Sequence, residues 1–372
     1  MPFLQLHVGN EGYVKACCVA NINFGNINKQ SLDEIWNGKL INQLRNKFNK
    51  GELDKRCAVC YKLEEAGGKS IRQETFEKFP DFNPEEPSLP VYFDIRFSNV
   101  CNYRCRTCWH GASSRWFEEA KLLKTNSGQK AIIHNIKDYE SFIVKCGPAL
   151  LRAEEIYFAG GEPLVTEEHY SLLAWLVENN ATTMRLRYNT NFSILKFKSY
   201  EVVEYWKQFD SVEILASIDA SAELGEYIRK EMNWKTILLN REKIRSLHHI
   251  KIKIAPTVSV FNIMHLPDLY KECLSNNFIA TDGLYINILD RPIHYNVQIL
   301  PPEIKQQVLI KYKIFFEWMT SNDVPELVQR QFQECLTYMM ADDKSRFWEK
   351  FILETRKLDS MREEILSDVF GY

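Results

Sequence analysis

The sequence predicts an α/β chain organised around a partial barrel of six β/α units, with a small α+β module ahead of it and a helical extension behind it. Three observations lead there. Strand-like runs alternate with helical stretches from residue 91 to about 300, the pattern of parallel β/α units, whose ligands gather at the carboxyl ends of the strands. Residues 1–75 read instead as a hairpin, a helix and two cysteine groups. Beyond Pro301-Pro302 only helical periodicity remains, with Ile310, Phe315, Phe316 and Met319 at broadly helical spacing.

Taken in order, Phe3 to Val8, the turn residues Gly9 to Gly12, and Tyr13 to Val19 form a hairpin pattern whose second strand delivers Cys17 and Cys18. Ser31-Leu-Asp-Glu34 is a capping-box pattern, and apolar positions at Ile35, Trp36, Leu40, Ile41, Leu44 and Phe48 extend the helix to about Asn49. Cys57-Ala-Val-Cys60 follows, so the fold could bring two cysteine groups together on one shared metal. From about Gly67 to Pro90 the chain turns polar and proline-bearing, which assigns residues 76–90 to a linker. The barrel, residues 91–300, has strands expected at Val91–Ser98, Ile156–Ala159, Met184–Tyr188, Ser211–Ile218, Ile250–Val260 and Leu284–Leu289. Helices are expected at Glu167–Asn179 and Trp234–Leu247. In the extension, residues 301–372, Phe332, Tyr338, Phe347, Trp348 and Phe351 either build core or line a cleft, and core is the commoner use of such a stripe.

Composition narrows the function classes. A net charge of −2 over 372 residues argues against a broad nucleic-acid or anionic-membrane surface. The opening Met-Pro-Phe-Leu-Gln-Leu-His lacks the basic and apolar regions of an export signal, and no apolar run reaches membrane-spanning length. A cytoplasmic protein is expected. Ten cysteines in a reducing compartment are ligand candidates where they cluster, while the isolated Cys146, Cys273 and Cys335 read as buried structural thiols.

Cys101-Asn-Tyr-Arg-Cys105-Arg-Thr-Cys108-Trp109 places three thiols in CxxxCxxC spacing directly after the first barrel strand. Three thiolates on one loop suit a cubane iron–sulfur cluster that is one protein ligand short. A zinc site would want a fourth ligand, and His110 is too close to Cys108 for the usual spacing. About fifty residues on, Glu155-Ile-Tyr-Phe-Ala runs into Gly160-Gly161-Glu162-Pro163.

The two motifs together, in this order and at strand ends, resemble the radical S-adenosylmethionine (radical SAM) enzymes. The resemblance implies a TIM-like (β/α)6 partial barrel and a [4Fe–4S] cluster on Cys101, Cys105 and Cys108, whose open iron chelates AdoMet. It also implies that Gly160, Gly161 and Glu162 lie against the methionine end of AdoMet, the glycines by sparing it a Cβ. Tyr188-Asn-Thr-Asn191 resembles the family's turn after the third strand, and Ser217-Ile-Asp219 with Tyr227-Ile-Arg229 its "SID…R" stretch. Ser217 and Arg229 are then expected to hold the carboxylate and ribose of AdoMet, for which a hydroxyl and a planar guanidinium are chemically suited. A helix cap and a solvated charge would also explain them. Thr107, Asn191 and Val260 complete the expected cofactor-binding set, with Val260 equally explicable as core.

Gly12, Val14, Cys17, the Ser31–Trp36 helix, Cys57 and Cys60 resemble the auxiliary-cluster domain of the SPASM and twitch subfamilies, which usually follows the barrel rather than preceding it. A second [4Fe–4S] cluster is implied, with a four-cysteine zinc site as the alternative. Cys18 either supplies a fourth ligand or packs inward, as neighbours on a strand face opposite sides.

The activity implied is reductive cleavage of AdoMet to a 5′-deoxyadenosyl radical that takes hydrogen from a substrate, either a peptide or natural-product precursor or a small molecule. The reductant implied is a flavodoxin or ferredoxin. No residue is assigned as catalytic, although Asn287, Asp290, His294 and Tyr295 at later strand ends are candidates for substrate contact. A non-catalytic iron–sulfur electron carrier is the reading from another class, which GGEP, Ser217 and Arg229 argue against.

Overall fold

The computed structural model of the protein describes residues 1–65, 69–80, 89–125, 128 and 130–366. Along the chain come β1 (Gln5–Val8), β2 (Tyr13–Lys15), β3 (Gly25–Asn26), α1 (Leu32–Trp36), α2 (Lys39–Asn49), α3 (Ala58–Glu65), α4 (Ile71–Lys78), β4 (Tyr92–Ile95), β5 (Arg104–Cys105), α5 (Phe117–Leu122) and α6 (Tyr139–Leu150). There follow β6 (Glu155–Phe158), α7 (Glu167–Glu178), β7 (Arg185–Thr190), β8 (Lys196–Phe197), β9 (Tyr200–Glu201), α8 (Val202–Trp206), β10 (Ser211–Ala216), α9 (Ala222–Ile228), β11 (Arg229–Lys230), α10 (Trp234–Ile244) and β12 (Ile250–Ile254). The last elements are β13 (Thr257–Val258), α11 (Leu266–Ser275), β14 (Asn287–Ile288), α12 (Pro302–Ser321), α13 (Glu326–Met340) and α14 (Trp348–Arg362). Two compact units result, one of residues 1–100, 130–188 and 196–212, the other of residues 101–129, 189–195 and 213–372.

In the first unit the strands lie in the order β7-β6-β4-β1-β2-β3. β4, β6 and β7 run parallel, and β1 joins β4 in parallel too, with Gln5 opposite Tyr92 and His7 opposite Asp94. Because strand side chains alternate, Leu6, Val8, Phe93, Ile95, Ile156, Phe158, Leu186 and Tyr188 share one face and are buried. The opposite face carries Gln5, His7, Tyr92, Asp94, Glu155, Tyr157, Arg185 and Arg187, an unusually polar set for a sheet interior. On the apolar side His169 of α7 is wholly buried, with its Nε2 3.0 Å from the Tyr188 hydroxyl.

Three details of this unit differ from expectation. β2 ends at Lys15, so Cys17 and Cys18 lie in the turn beyond it and strand alternation does not decide which way they face. The single helix expected to Asn49 is two: Gly38 caps the start of α2, where a Cβ would stand 2.8 Å from the Glu34 carbonyl. Part of the expected linker is helix α4, started by a full capping box between Ser70 and Gln73, a local signal that outweighs the polar composition. Lys78 of α4 pairs with Glu155 at 3.1 Å. Pro84 and Pro87 of that linker lie outside the described residues.

In the second unit β10 neighbours β12, and β5 pairs antiparallel with β11, setting Cys105 opposite Arg229. The last two expected strands pair only briefly, Ile254 with Leu284 and β13 with β14. Phe332 and Phe351 are fully buried, so these two aromatic positions of the extension serve as core. Cys146, Cys273 and Cys335 are wholly buried thiols, as expected. No helix among the described residues is long and apolar enough to cross a membrane.

Candidate iron–sulfur and cofactor site

The cysteine loop is fixed residue by residue within the second unit. The backbone N–H of Cys101 donates to Ser114 Oγ (3.3 Å), and that of Tyr103 to Cys101 Sγ (3.4 Å). Asn102 donates to Ser193 Oγ (2.9 Å) and accepts from Asn191 Nδ2 (2.7 Å), so the expected cofactor residue Asn191 braces the loop. Cys108 N–H closes a turn on the Cys105 carbonyl at 3.0 Å, with Thr107 half-buried between them.

Arg229 is turned toward the sulfur. Its Nε and Nη2 pair with Asp219 at 2.9 Å each, and its Nη1 lies 3.7 Å from Cys105 Sγ. Asp219, wholly buried, also accepts from Thr257 N–H at 2.7 Å. This buried pair is the reverse of a solvated helix charge. Burial raises the Cys105 thiol above its usual range, against the pull of Arg229, and pushes Cys108 up to about 12, with Cys105 adding to it. Thiolates there need compensating positive charge, which a bound iron cluster supplies.

Arg106, the residue after Cys105, is fully buried. Its Nε donates to the Tyr227 carbonyl (3.0 Å), its Nη2 to Asp359 (2.6 Å) and to Glu364, and its guanidinium lies 3.6 Å over the Tyr227 ring. Arg104 pairs with Glu119 (2.9 Å), which Arg362 grips in turn through two bonds of 3.0 and 2.7 Å. Sequence reading missed this anchorage. The two arginines inside the motif were its one visible trace. A cavity of about 300 Å³ adjoins the loop, lined among others by Cys108, Trp109, His110, Trp116, His294 and Tyr295. Asn287 and Asp290 are exposed.

Ser217 donates to Asn189 Oδ1 (3.2 Å) and, through its N–H, to the Thr190 carbonyl (2.7 Å), holding two strand ends together. Val260 is wholly buried core. In the first unit Gly160 has φ +90°, which favours glycine. A Cβ on Gly161 would meet the Val100 carbonyl at 2.1 Å, so the chain's own backbone, one residue before Cys101, already demands glycine there. Glu162 donates its N–H to that carbonyl (2.7 Å), and its carboxylate accepts from Leu164 N–H (3.1 Å) as a buried cap.

The two segments that carry the four N-terminal cysteines are also tied together. Asn21 N–H donates to the Arg56 carbonyl (3.2 Å), tying the chain after Cys18 to the chain before Cys57. Asp54, buried, accepts from Arg56 N–H (3.0 Å) and pairs with the Arg56 guanidinium and Lys47, which fixes the start of the Cys57–Cys60 turn. Arg56 foremost holds its carboxyl well below the usual range. Burial pushes Cys17 up to about 12, and the nearby Cys18 and Cys60 add to the rise. Among the described residues no three His, Cys, Asp or Glu side chains meet as ligands of a single ion. A cubane takes one thiolate per iron, so its ligands need not meet at a point.

Comparisons with known proteins find two iron–sulfur family models in this chain. A model of the SPASM iron-sulfur cluster-binding domain matches residues 1–61, and one of a 4Fe-4S single cluster domain matches residues 95–241. The S-adenosylmethionine-dependent nucleotide dehydratase RSAD2 of Siniperca chuatsi is 26% identical over 269 residues, 62% of this chain and 67% of that protein. Its Danio rerio counterpart is 26% identical over 277 residues, 64% and 68% of the two chains. Among solved structures, Streptococcus suis SuiB bound to S-adenosylmethionine aligns with TM-score 0.37 and 15% identity, over 73% of this chain and 59% of that one. TYW1 with a lysine-pyruvate adduct aligns with TM-score 0.33 and 12% identity, over 62% and 72%.

Proposed function

This chain belongs to the radical SAM superfamily and carries a SPASM iron–sulfur domain, and on that premise we propose that it cleaves AdoMet reductively and uses the resulting radical to take a hydrogen atom from a substrate. The observation that carries the reading is the loop with three thiols and no fourth cysteine beside them, which leaves one iron of a [4Fe–4S] cluster without a protein ligand.

The donor set fits such a cluster: soft thiolates, one backbone N–H and one guanidinium directed at Cys101 and Cys105. When bound, the cluster supplies the electron that breaks an S–C bond of AdoMet. Cys101, Cys105 and Cys108 hold it, Arg229 steadies the Cys105 thiolate, and Asp219 holds Arg229 in place. Gly160, Gly161 and Glu162 serve the methionine end of AdoMet, and Ser217, Asn191 and Thr107 are its further ligands, whereas Val260, wholly buried, serves as core. Cys17, Cys57 and Cys60, with Cys18 as fourth, hold an auxiliary [4Fe–4S] cluster. Residues 1–75 are its module, 91–300 form the partial barrel and 301–372 the extension. The chain's part in the chemistry is to orient the substrate C–H bond and exclude water.

The substrate is a peptide or natural-product precursor, or a small molecule oxidised at an alcohol, and the electron donor is a flavodoxin or ferredoxin in the cytoplasm. A nucleotide is a second reading, favoured by the similarity to the two nucleotide dehydratases. The test is anaerobic reconstitution followed by iron counting and 5′-deoxyadenosine release under dithionite, in wild type and Cys57→Ala/Cys60→Ala. About eight irons falling to about four supports two clusters. No 5′-deoxyadenosine from wild type would refute the radical reading.

A further inference from the structure

On the polar face of the first unit's sheet, His7 of β1 and Asp94 of β4 are register partners, with Nδ1 2.7 Å from Oδ2. Both are buried, at 5% and 1% exposure. Although burial works against it, Arg96 and His7 hold the Asp94 carboxyl below its usual range, so the pair has an anionic side. The Nδ1–Oδ2 contact is a close polar approach whose angle falls short of a hydrogen bond, and the other ring nitrogen is open, with no hydrogen bond to His7 Nε2 among the described residues. Residue 9 keeps it so, since a Cβ on Gly9 would come within 2.6 Å of Nε2.

The surroundings are those of a site rather than of packing. Arg96, one residue beyond the end of β4 and 3.4 Å from Asp94, keeps 30% of its side-chain surface. Its Cβ is what a side chain on Gly160 would strike, at 2.9 Å, so Arg96 packs directly on the Gly-Gly-Glu motif. On the other side, Cys18 lies within electrostatic reach of Asp94, Arg96 and Tyr157. Gln5, on the same face two residues before His7 and 1% exposed, has neither amide atom hydrogen-bonded among the described residues. A buried unpaired amide costs free energy unless a ligand satisfies it.

We propose that His7, oriented by Asp94, is the proton acceptor for a hydroxyl-bearing substrate held against Arg96, Tyr157 and Gln5, between the Gly160 motif and Cys18. In that step the substrate O–H bond breaks, an N–H bond forms at His7 Nε2, and the electron pair stays on the substrate oxygen. Asp94 steadies the resulting imidazolium, as a buried carboxylate does for a histidine base. Guanidinium, phenol and amide together suit an oxygen-rich substrate rather than an apolar side chain. The inference rests on the radical reading for its place in the reaction, but its test does not depend on AdoMet cleavage.

That test is carbethoxylation of the reconstituted full chain by diethyl pyrocarbonate at pH 8, mapped by mass spectrometry, with the wholly buried His169 as internal control. His7 is expected to react at least severalfold faster than His169. Asp94→Asn is expected to slow His7 severalfold, because the amide no longer fixes the tautomer with its lone pair on Nε2. A histidine that is merely packed would be loosened by that change and react faster, which would overturn the proposal. So would a His7 as inert as His169 in wild type, or a His7→Gln variant that loses the irons bound near Cys18. Absence of 5′-deoxyadenosine in wild type would refute the radical reading alone and leave the labelling result standing.

Discussion

Arg106 and Asp359 are 253 positions apart in sequence and 2.6 Å apart in space. One lies between two cysteines of the loop and the other near the end of the last helix, so the extension is part of what shapes the loop. Asp359 also accepts from the Tyr227 hydroxyl at 2.8 Å, closing a buried triangle of Arg, Tyr and Asp. Stranding one member of a buried ion pair costs about 3 to 5 kcal/mol, and because Glu364 still pairs with Arg106 the loss at Asp359 should be a part of that. Asp359→Asn should therefore lower the denaturation midpoint markedly and reduce the iron retained in a Cys57→Ala/Cys60→Ala background, where only the loop's cluster is counted.

Arg229 bears on the cluster through a different property. Hydrogen bonds to cluster sulfurs raise the reduction potential, and Arg229 is the guanidinium donor to Cys105. Arg229→Gln should shift the potential downward in an EPR-monitored redox titration and slow dithionite-driven AdoMet cleavage. Asp219→Asn should reproduce the shift in part by releasing Arg229.

Gly161 and Gly51 make a matched pair of alanine substitutions. At Gly161 the new Cβ meets a backbone carbonyl at 2.1 Å, whereas at Gly51, with φ +71°, nothing lies within 4 Å. Gly51→Ala should cost only the left-handed penalty of about 1 to 2 kcal/mol. Gly161→Ala should cost more, because the backbone before Cys101 must move, and should abolish 5′-deoxyadenosine formation.

Asp54 holds the turn that presents Cys57. Asp54→Ala removes the cap and both cation pairs, so the auxiliary iron, about four atoms per chain, should be lost selectively on reconstitution while AdoMet cleavage persists.

His169 supplies a pH signature. Burial alone lowers its pKa to about 3, so the folded ring stays neutral at pH values where the unfolded one gains a proton. Between about 6.5 and that value the unfolded state binds more protons, hence stability falls as pH falls, by about 1.4 kcal/mol per unit. Going from pH 7.5 to 5.5 the wild type should lose about 1.4 kcal/mol that His169→Phe does not lose. Equal losses in denaturant titrations would contradict the assignment.

The sequence by itself determined what depends on neighbours in the chain. CxxxCxxC and GGEP need only a few consecutive residues to be recognised, the capping box from Ser31 to Glu34 spans four residues, and the strand-like runs at residues 91–98, 156–159 and 184–188 carry their alternation with them. Local signals also misled where two competed: the apolar spacing over Ile35 to Phe48 hid the break at Gly38, and prolines around 84 hid the helix that Ser70 starts.

Only the tertiary structure decided which side chains meet across long separations. That β1 lies in register beside β4 sets His7 against Asp94, 87 positions on by their numbers. That β5 pairs with β11 sets Arg229 on Cys105. Hydrogen bonds and charges act over a few ångströms, and strand pairing and helix packing bring such groups that close without leaving any periodic trace in the sequence. Arg106, Glu119 and Asp359 read as ordinary surface charges until the fold buries them, Arg106 against Asp359 and Glu119 against Arg362, with the half-buried Arg104 beside Glu119.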